Sequence, residues 1–297
     1  MRKRNGMISP KKATLIASSI ASLLAIVKLI VGLVSGSVAV LASAIDSLLD
    51  VIISIFNFFA LHQSEQPANQ KFNYGYGKIE SLASLIEGVI ITISGGYILY
   101  EAIGKLIYQE HIIQIDQTIG VMIFSLIVTL GLVVFLSLMV KRSKNQVLEA
   151  DLLHYKTDLL SNGGVLLSLF VIYFTDWQIV DAILGIIVAL YVMFSAFGII
   201  KRGVLNLLDR SIDEDLSSKI EGTLKNSPIT SFHGLKSRLS GNTIFLEVHL
   251  VFDEMISLLE AHNISEEIEE KLAQNDPSLK WVILSHLDPY DDSLAKA

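Results

Sequence analysis

The 297-residue chain contains no cysteine. This excludes disulfides, thiolate nucleophiles, cysteine zinc sites and iron–sulfur ligation, so any metal must be held by His, Asp or Glu. Charge is also scarce. Only 18% of residues are charged against 52% hydrophobic, and the mean hydropathy is +0.54, far to the apolar side of a soluble domain. An ordinary cytosolic enzyme is therefore not expected. There is no basic excess either: the net charge of −7 argues against nucleic acid as a partner. The sequence holds no internal repeat, no low-complexity tract and no His-rich loop, and it lacks the His-Glu-x-x-His run of a metalloprotease.

Apolar sequence is abundant. Six stretches, at roughly 13–35, 37–61, 79–103, 118–140, 152–174 and 179–200, each reach the length of about 20 residues that a helix needs to cross the hydrocarbon core. The first is too long for a cleaved signal peptide and has no small-residue cleavage site, so it reads as a membrane helix. Lys and Arg gather on one side of these spans: Arg2, Lys3, Arg4, Lys11 and Lys12, then Lys71 and Lys78, then Lys141, Arg142 and Lys144, then Lys201 and Arg202. The opposite loops hold only Lys105. By the positive-inside rule both termini are expected in the cytoplasm. The expected organisation is a cytoplasmic segment 1–12, a six-helix transmembrane domain 13–208 and a cytoplasmic domain 209–297.

Beyond Asp209 the composition turns polar. Residues 213–226 read as a helix with Asp213, Glu214 and Asp215 at its positive end. In 243–253, Ile244, Leu246, Val248, Leu250 and Phe252 alternate with Glu247, His249 and Asp253, the pattern of a half-buried strand. Ser240-Gly241-Asn242 predicts a hairpin turn from a strand at 232–239, residues 257–274 a helix capped by Ser257, and 281–287 a third strand. The predicted fold class is an α-helical membrane protein of six transmembrane helices with a small C-terminal cytoplasmic α+β domain.

The strongest chemical signal is Asp46-Ser-Leu-Leu-Asp50 inside the second span. Aspartates four apart lie one turn apart on one helical face, and a mid-bilayer carboxylate costs roughly 2.5–3.5 kcal/mol even on the lenient insertion scale. The fifth span repeats the spacing in His154-Tyr-Lys-Thr-Asp158. If the two helices pack together, three carboxylates and an imidazole can close a tetrahedral site. Zinc fits that set best, with Fe²⁺, Co²⁺, Cd²⁺ and Mn²⁺ left open; the competing reading has these groups at helix ends or paired with lysines such as Lys156. Asp151, on the same face, reads equally as an access residue or as plain surface charge. Lys28, in the first span, is expected to snorkel to an interface. Glu87, in the third, could pair or help proton access but belongs to no motif. In the C-terminal domain His233, His249, His262, His286 and Asp288 form a second constellation: His286 and Asp288 share a strand face, and His249 lies on the polar face of its own strand.

These motifs resemble the cation diffusion facilitators of the bacterial YiiP (FieF) type. The resemblance rests on 36–50 (GSVAVLASAIDSLLD), on Gly75-Tyr-Gly77-Lys78-Ile-Glu80-Ser81-Leu, on Leu207-Leu-Asp209-Arg210, on the fifth-span motif and on the topology, and it covers essentially the whole chain. It implies that Asp46, Asp50, His154 and Asp158 are the transport site, and that metal leaves the cytoplasm in exchange for protons. It further implies a homodimer in a bacterial inner membrane in contact with lipid, and a metallochaperone-like cytoplasmic domain whose His233, His249, His262, His286 and Asp288 bind regulatory zinc. Lys78 and Asp209 are implied as a charge interlock at the dimer hinge. One departure is evident. Where the family carries acidic and histidine ligands in the second-to-third loop, this chain has Asn69, Phe72 and Tyr76, so that loop site is expected to be absent. The resulting expectation is a proton-coupled exporter of divalent metal, zinc foremost, with no enzymatic activity and no organic cofactor. A divalent-metal channel and a membrane metal sensor are the alternatives.

Overall fold

The computed structural model describes residues 9–35, 38–108, 119–143, 145–175, 177 and 179–291; of Asp46 it describes the backbone alone. Six long helices come first: α1 (Pro10–Ser35), α2 (Val38–Ser64), α3 (Lys78–Tyr108), α4 (Ile119–Ser143), α5 (Gln146–Thr175) and α6 (Ile179–Leu207). Among the described residues five are long and apolar enough to cross a membrane. α5 carries Glu149, Asp151, Lys156 and Asp158 in its first half and an apolar run beyond them. Its start, six residues earlier than apolarity predicts, has a local cause: Asn145 Oδ1 accepts the Leu148 N–H at 3.1 Å, capping a polar first turn that hydropathy cannot register. Glu80, at the start of α3, holds this cap in place by accepting from Asn145 Nδ2 at 2.7 Å and from Ser64 Oγ, at the end of α2, at 3.1 Å.

Small residues set how closely the helices approach. Ala13, Ala17 and Ala21, one turn apart on α1, are buried with Leu132 and Leu136 of α4 and Leu148, Leu152 and Tyr155 of α5. With Ala side chains the backbones can come together without voids, which is the main source of helix affinity where lipid is as apolar as the helix surface. A second cluster joins Ile91 of α3, Ala150 and Leu153 of α5, and Val192, Ala196 and Ile199 of α6. Large apolar side chains that face outward, such as Leu23 and Leu33 of α1 and Phe194 and Phe197 of α6, suit a hydrocarbon environment. Lys28 departs from its expected snorkelling. It is buried, and its Nζ donates to Ser47 Oγ of α2 at 2.8 Å, so an internal acceptor takes the place of the interface.

The chain divides into two compact units, the second of which unites Lys71–Lys78 with the residues from Leu205 onward. It contains α7 (Glu214–Lys225), β1 (Ser231–Ser240), β2 (Thr243–Val251), α8 (Leu258–Ala273) and β3 (Lys280–Asp288). The sheet order is β1-β2-β3, with β1 antiparallel and β3 parallel to β2; α8 makes the crossover that a parallel pair requires. The alternating face predicted for β2 is the core: Ile244, Leu246, Val248, Leu250 and Phe252 are buried with Ile220 and Leu224 of α7 and Ile268 and Leu272 of α8. Ser257 caps α8, accepting from the Glu260 N–H at 3.2 Å. The 71–78 segment lies against the β1–β2 turn so closely that a Cβ on Gly77 would fall 2.5 Å from the Ser240 carbonyl oxygen, and only glycine fits there.

Candidate metal centres

The first centre forms where α2 meets α5. Ser54 Oγ and Tyr155 Oη share a hydrogen bond of 2.8 Å between buried side chains, which fixes the register of the two helices one turn beyond Asp50. In that register Asp50 Oδ1 lies 3.0 Å from His154 Nε2, and His154 Nε2 lies 3.9 Å from Asp158 Oδ2. One ligand atom from each of the three falls within 4.8 Å of the others. Tetrahedral ligands at about 2.0–2.2 Å from a metal sit roughly 3.3–3.6 Å apart, so small side-chain movements would bring these three onto one ion. The Asp46 side chain lies outside the described residues; its backbone stands on α2 one turn before Asp50.

Asp151 is not surface charge. It is fully buried, and Asn57 Nδ2 donates to its Oδ1 at 3.4 Å and to Glu87 Oε2 at 2.9 Å, both Asn57 and Glu87 being buried as well. Sequence spacing points to neither partner, because the rotation of α3 about its own axis relative to α2 and α5 leaves no mark on a one-dimensional pattern.

The second centre lies on the polar side of the sheet. His233, His249 and His286 occupy one row across β1, β2 and β3, with ring centroids 4.7 Å apart at each step. Asp288 closes the row from β3. Its Oδ2 is 2.7 Å from His249 Nδ1 and 3.4 Å from His233 Nε2, and its Oδ1 is 2.7 Å from His286 Nδ1. Burial pushes the Asp288 carboxyl up, but hydrogen bonds and charge from His249 and His286 outweigh that and hold it below the usual carboxylate range. His233, His249 and Asp288 offer ligand atoms within 4.8 Å of one another. The row exists because β1 bulges between His233 and Lys236. Gly234, at φ +63°, supplies the left-handed residue, and a Cβ there would meet His249 Cδ2 at 2.9 Å. His262 is not brought into this group. It stands 59% exposed on α8 beside Glu266, at 3.4 Å, because its helix packs on the opposite, apolar side of the sheet. His286 touches the group through Asp288 and the His249 ring and is itself 63% exposed.

Lys78 and Asp209 do pair, at 2.9 Å. Asp209 ends α6 in a left-handed turn at φ +58°, with its N–H bonded to the Asn206 carbonyl and the Arg210 N–H to that of Leu205, the double bond of a Schellman stop. Lys78 Nζ also donates to the Leu207 carbonyl at 3.0 Å. A third partner, unmarked in the sequence, is Arg238 of β1, 3.3 Å from Asp209 and stacked 4.6 and 4.9 Å from the ring centroids of Tyr74 and Phe245. The hydrogen bond from Lys78, followed by that from Arg238, holds the Asp209 carboxyl below its ordinary range. In the α2–α3 loop the Phe72 and Tyr76 rings pack against each other at 4.7 Å.

Comparison with known proteins agrees with this architecture. Residues 14–208 match the cation efflux transmembrane domain, and residues 212–290 match the cation efflux protein cytoplasmic domain. The cation-efflux pumps FieF of Yersinia pestis (strain Pestoides F) and Yersinia pseudotuberculosis (serotype O:3, strain YPIII) are each 34% identical over 237 residues, which is 80% of this chain and 78% of theirs. Two solved structures of CzrB, named as a zinc transporter, are 30% identical and cover 26% and 27% of this chain and 99% and 92% of their own, with TM-scores of 0.24. The chain therefore belongs to the cation diffusion facilitator family of cation-efflux membrane transporters, and within it to the YiiP/FieF type.

Proposed function

We propose that this protein is a homodimeric, proton-coupled exporter of divalent transition metal, zinc foremost, that lies in a bacterial inner membrane with both termini in the cytoplasm. The observation that carries this reading is the convergence of Asp50 from one helix on His154 and Asp158 from another. Three carboxylates, counting Asp46, and one imidazole match zinc in number and donor type. Metal binds only deprotonated ligands, so its arrival displaces protons from His154 and the carboxylates. A site that meets metal on one face of the membrane and protons on the other then exchanges the two. Movement of a helix group that includes α2 and α5 would supply the alternating access. No bond-making step enters this scheme, so no enzymatic role is assigned. The His233, His249 and Asp288 cluster would hold a regulatory zinc, with His286 orienting Asp288.

The test is uptake of several metals into inverted vesicles under an imposed pH gradient. Zinc uptake driven by, and dissipating, an inward-acid gradient supports the exchange. Zinc flux that leaves the proton gradient untouched would indicate a channel.

A further inference from the structure

Asn57, Glu87 and Asp151 come from three helices and are 0%, 1% and 0% exposed. The Asn57 amide bridges the two acids, and each side chain keeps one buried oxygen with no hydrogen-bond donor among the described residues: Asn57 Oδ1, Glu87 Oε1 and Asp151 Oδ2. Neither acid takes part in an ion pair with Lys or Arg among the described residues. Unpaired buried carboxylates cost several kcal/mol each unless something positive meets them. The cluster has a defined place on the helices. Asn57 follows Asp50 by seven residues on α2, and Asp151 precedes Asp158 by seven on α5, so both lie two turns from the first centre, on its face and roughly 10 Å toward the same end of the bundle. That end is the one reached by the basic α4–α5 loop.

The geometry points to a second intramembrane cation site, formed by Asn57, Glu87 and Asp151, that receives the divalent cation on its way to Asp50, His154 and Asp158. This assignment rests on the transport reading above. The donors are all oxygen. Such a set suits a hard, partly hydrated ion and holds zinc less firmly than a set with imidazole does, so the ion is passed on to the deeper site.

The test uses the full-length chain in lipid nanodiscs, with Mn²⁺ as the probe, read by electron paramagnetic resonance. In a background carrying Asp50→Ala, Asp158→Ala, His249→Ala and Asp288→Ala, one Mn²⁺ per protomer should still bind without nitrogen coupling from a ligating imidazole. Adding Glu87→Gln and Asp151→Asn should weaken it at least tenfold. Absence of the residual ion, its survival in the added variants, or nitrogen coupling in its spectrum would overturn the site, as would a protonated-carboxyl infrared band that persists at saturating Mn²⁺. In the chain carrying only His249→Ala and Asp288→Ala the nitrogen-coupled ion reports His154 separately: its absence counts against the transport site, whereas its presence without the residual ion counts only against this second one. If the fourfold background does not fold, Glu87→Gln alone decides the matter. It should raise the KM for zinc uptake about tenfold with the maximal rate within twofold, and an unchanged KM would overturn the proposal.

Discussion

Replacing Asp209 by Asn removes its charge and keeps a side chain that tolerates the left-handed backbone at φ +58°. Asp209 has two cationic partners, Lys78 at 2.9 Å and Arg238 at 3.3 Å, yet its side chain is 44% exposed. Solvent screening therefore limits each pair to about 0.2–1 kcal/mol, and Asp209→Asn should cost about 0.5–2 kcal/mol. Asp209→Ala forfeits the same charge and also places an intolerant residue in the left-handed region, which adds about 1 kcal/mol. Exchanging the charges with Lys78→Asp and Asp209→Lys should rescue only part of the loss, because Arg238 then faces a lysine. Thermal unfolding of the full-length protein in detergent, run as a double-mutant cycle, measures these terms. The pH dependence has a fixed sign. The folded-state carboxyl titrates below its ordinary value, so its contribution is complete above the unfolded pKa of about 3.9 and is lost as pH falls through the lower folded one. The coupling should be flat from pH 6 to 8 and shrink at high salt. Equal effects of Asn and Ala, or a coupling near zero at low salt, would refute the reasoning.

Three further outcomes follow from the two centres. Gly234→Ala should destabilise the cytoplasmic unit by about 1–2 kcal/mol through its left-handed backbone and displace His249, weakening zinc binding there; a denaturation midpoint and a zinc titration of the same protein check both effects. Zinc at about a hundred times its Kd should slow hydrogen exchange of β1–β3 amides close to a hundredfold where opening dismantles the cluster, equivalent to about 2.7 kcal/mol. His249→Ala with Asp288→Ala should abolish that protection, and unprotected amides in the unsubstituted chain would show that the histidines hold no metal. His154→Asp should move transport preference toward Mn²⁺, since an all-oxygen set replaces the imidazole; an unchanged metal profile in vesicles would remove His154 from the ligands.

Much of the fold is legible in the sequence because burial imposes a period. Alternation over 243–253 marks β2 and its core face, and the i, i+4 spacing places Asp50 with Asp46, and Asp158 with His154, on single helical faces. The sequence is less informative where neighbours in space come from separate elements. The start of α5 is set by the Asn145 cap and not by apolarity. Lys28 stays inside because Ser47 meets it. His262 belongs to the constellation by composition, but the side of the sheet on which α8 packs keeps it away. Arg238 joins Lys78 and Asp209 through a strand whose distance from them in the chain gives no warning. Asn57, Glu87 and Asp151 meet only because of the rotation of three helices about their own axes, which no single helix encodes.

The central claim is that Asp50, His154 and Asp158 bind the transported ion, and its most direct test is zinc uptake, with simultaneous proton release, by full-length protein in vesicles containing a pH indicator. Asp50→Ala and Asp158→Ala each remove a carboxylate from the proposed four-ligand site, so each variant should remain folded in the membrane while zinc uptake and the linked pH change disappear together. Zinc uptake at the unsubstituted rate by either folded variant would contradict the account.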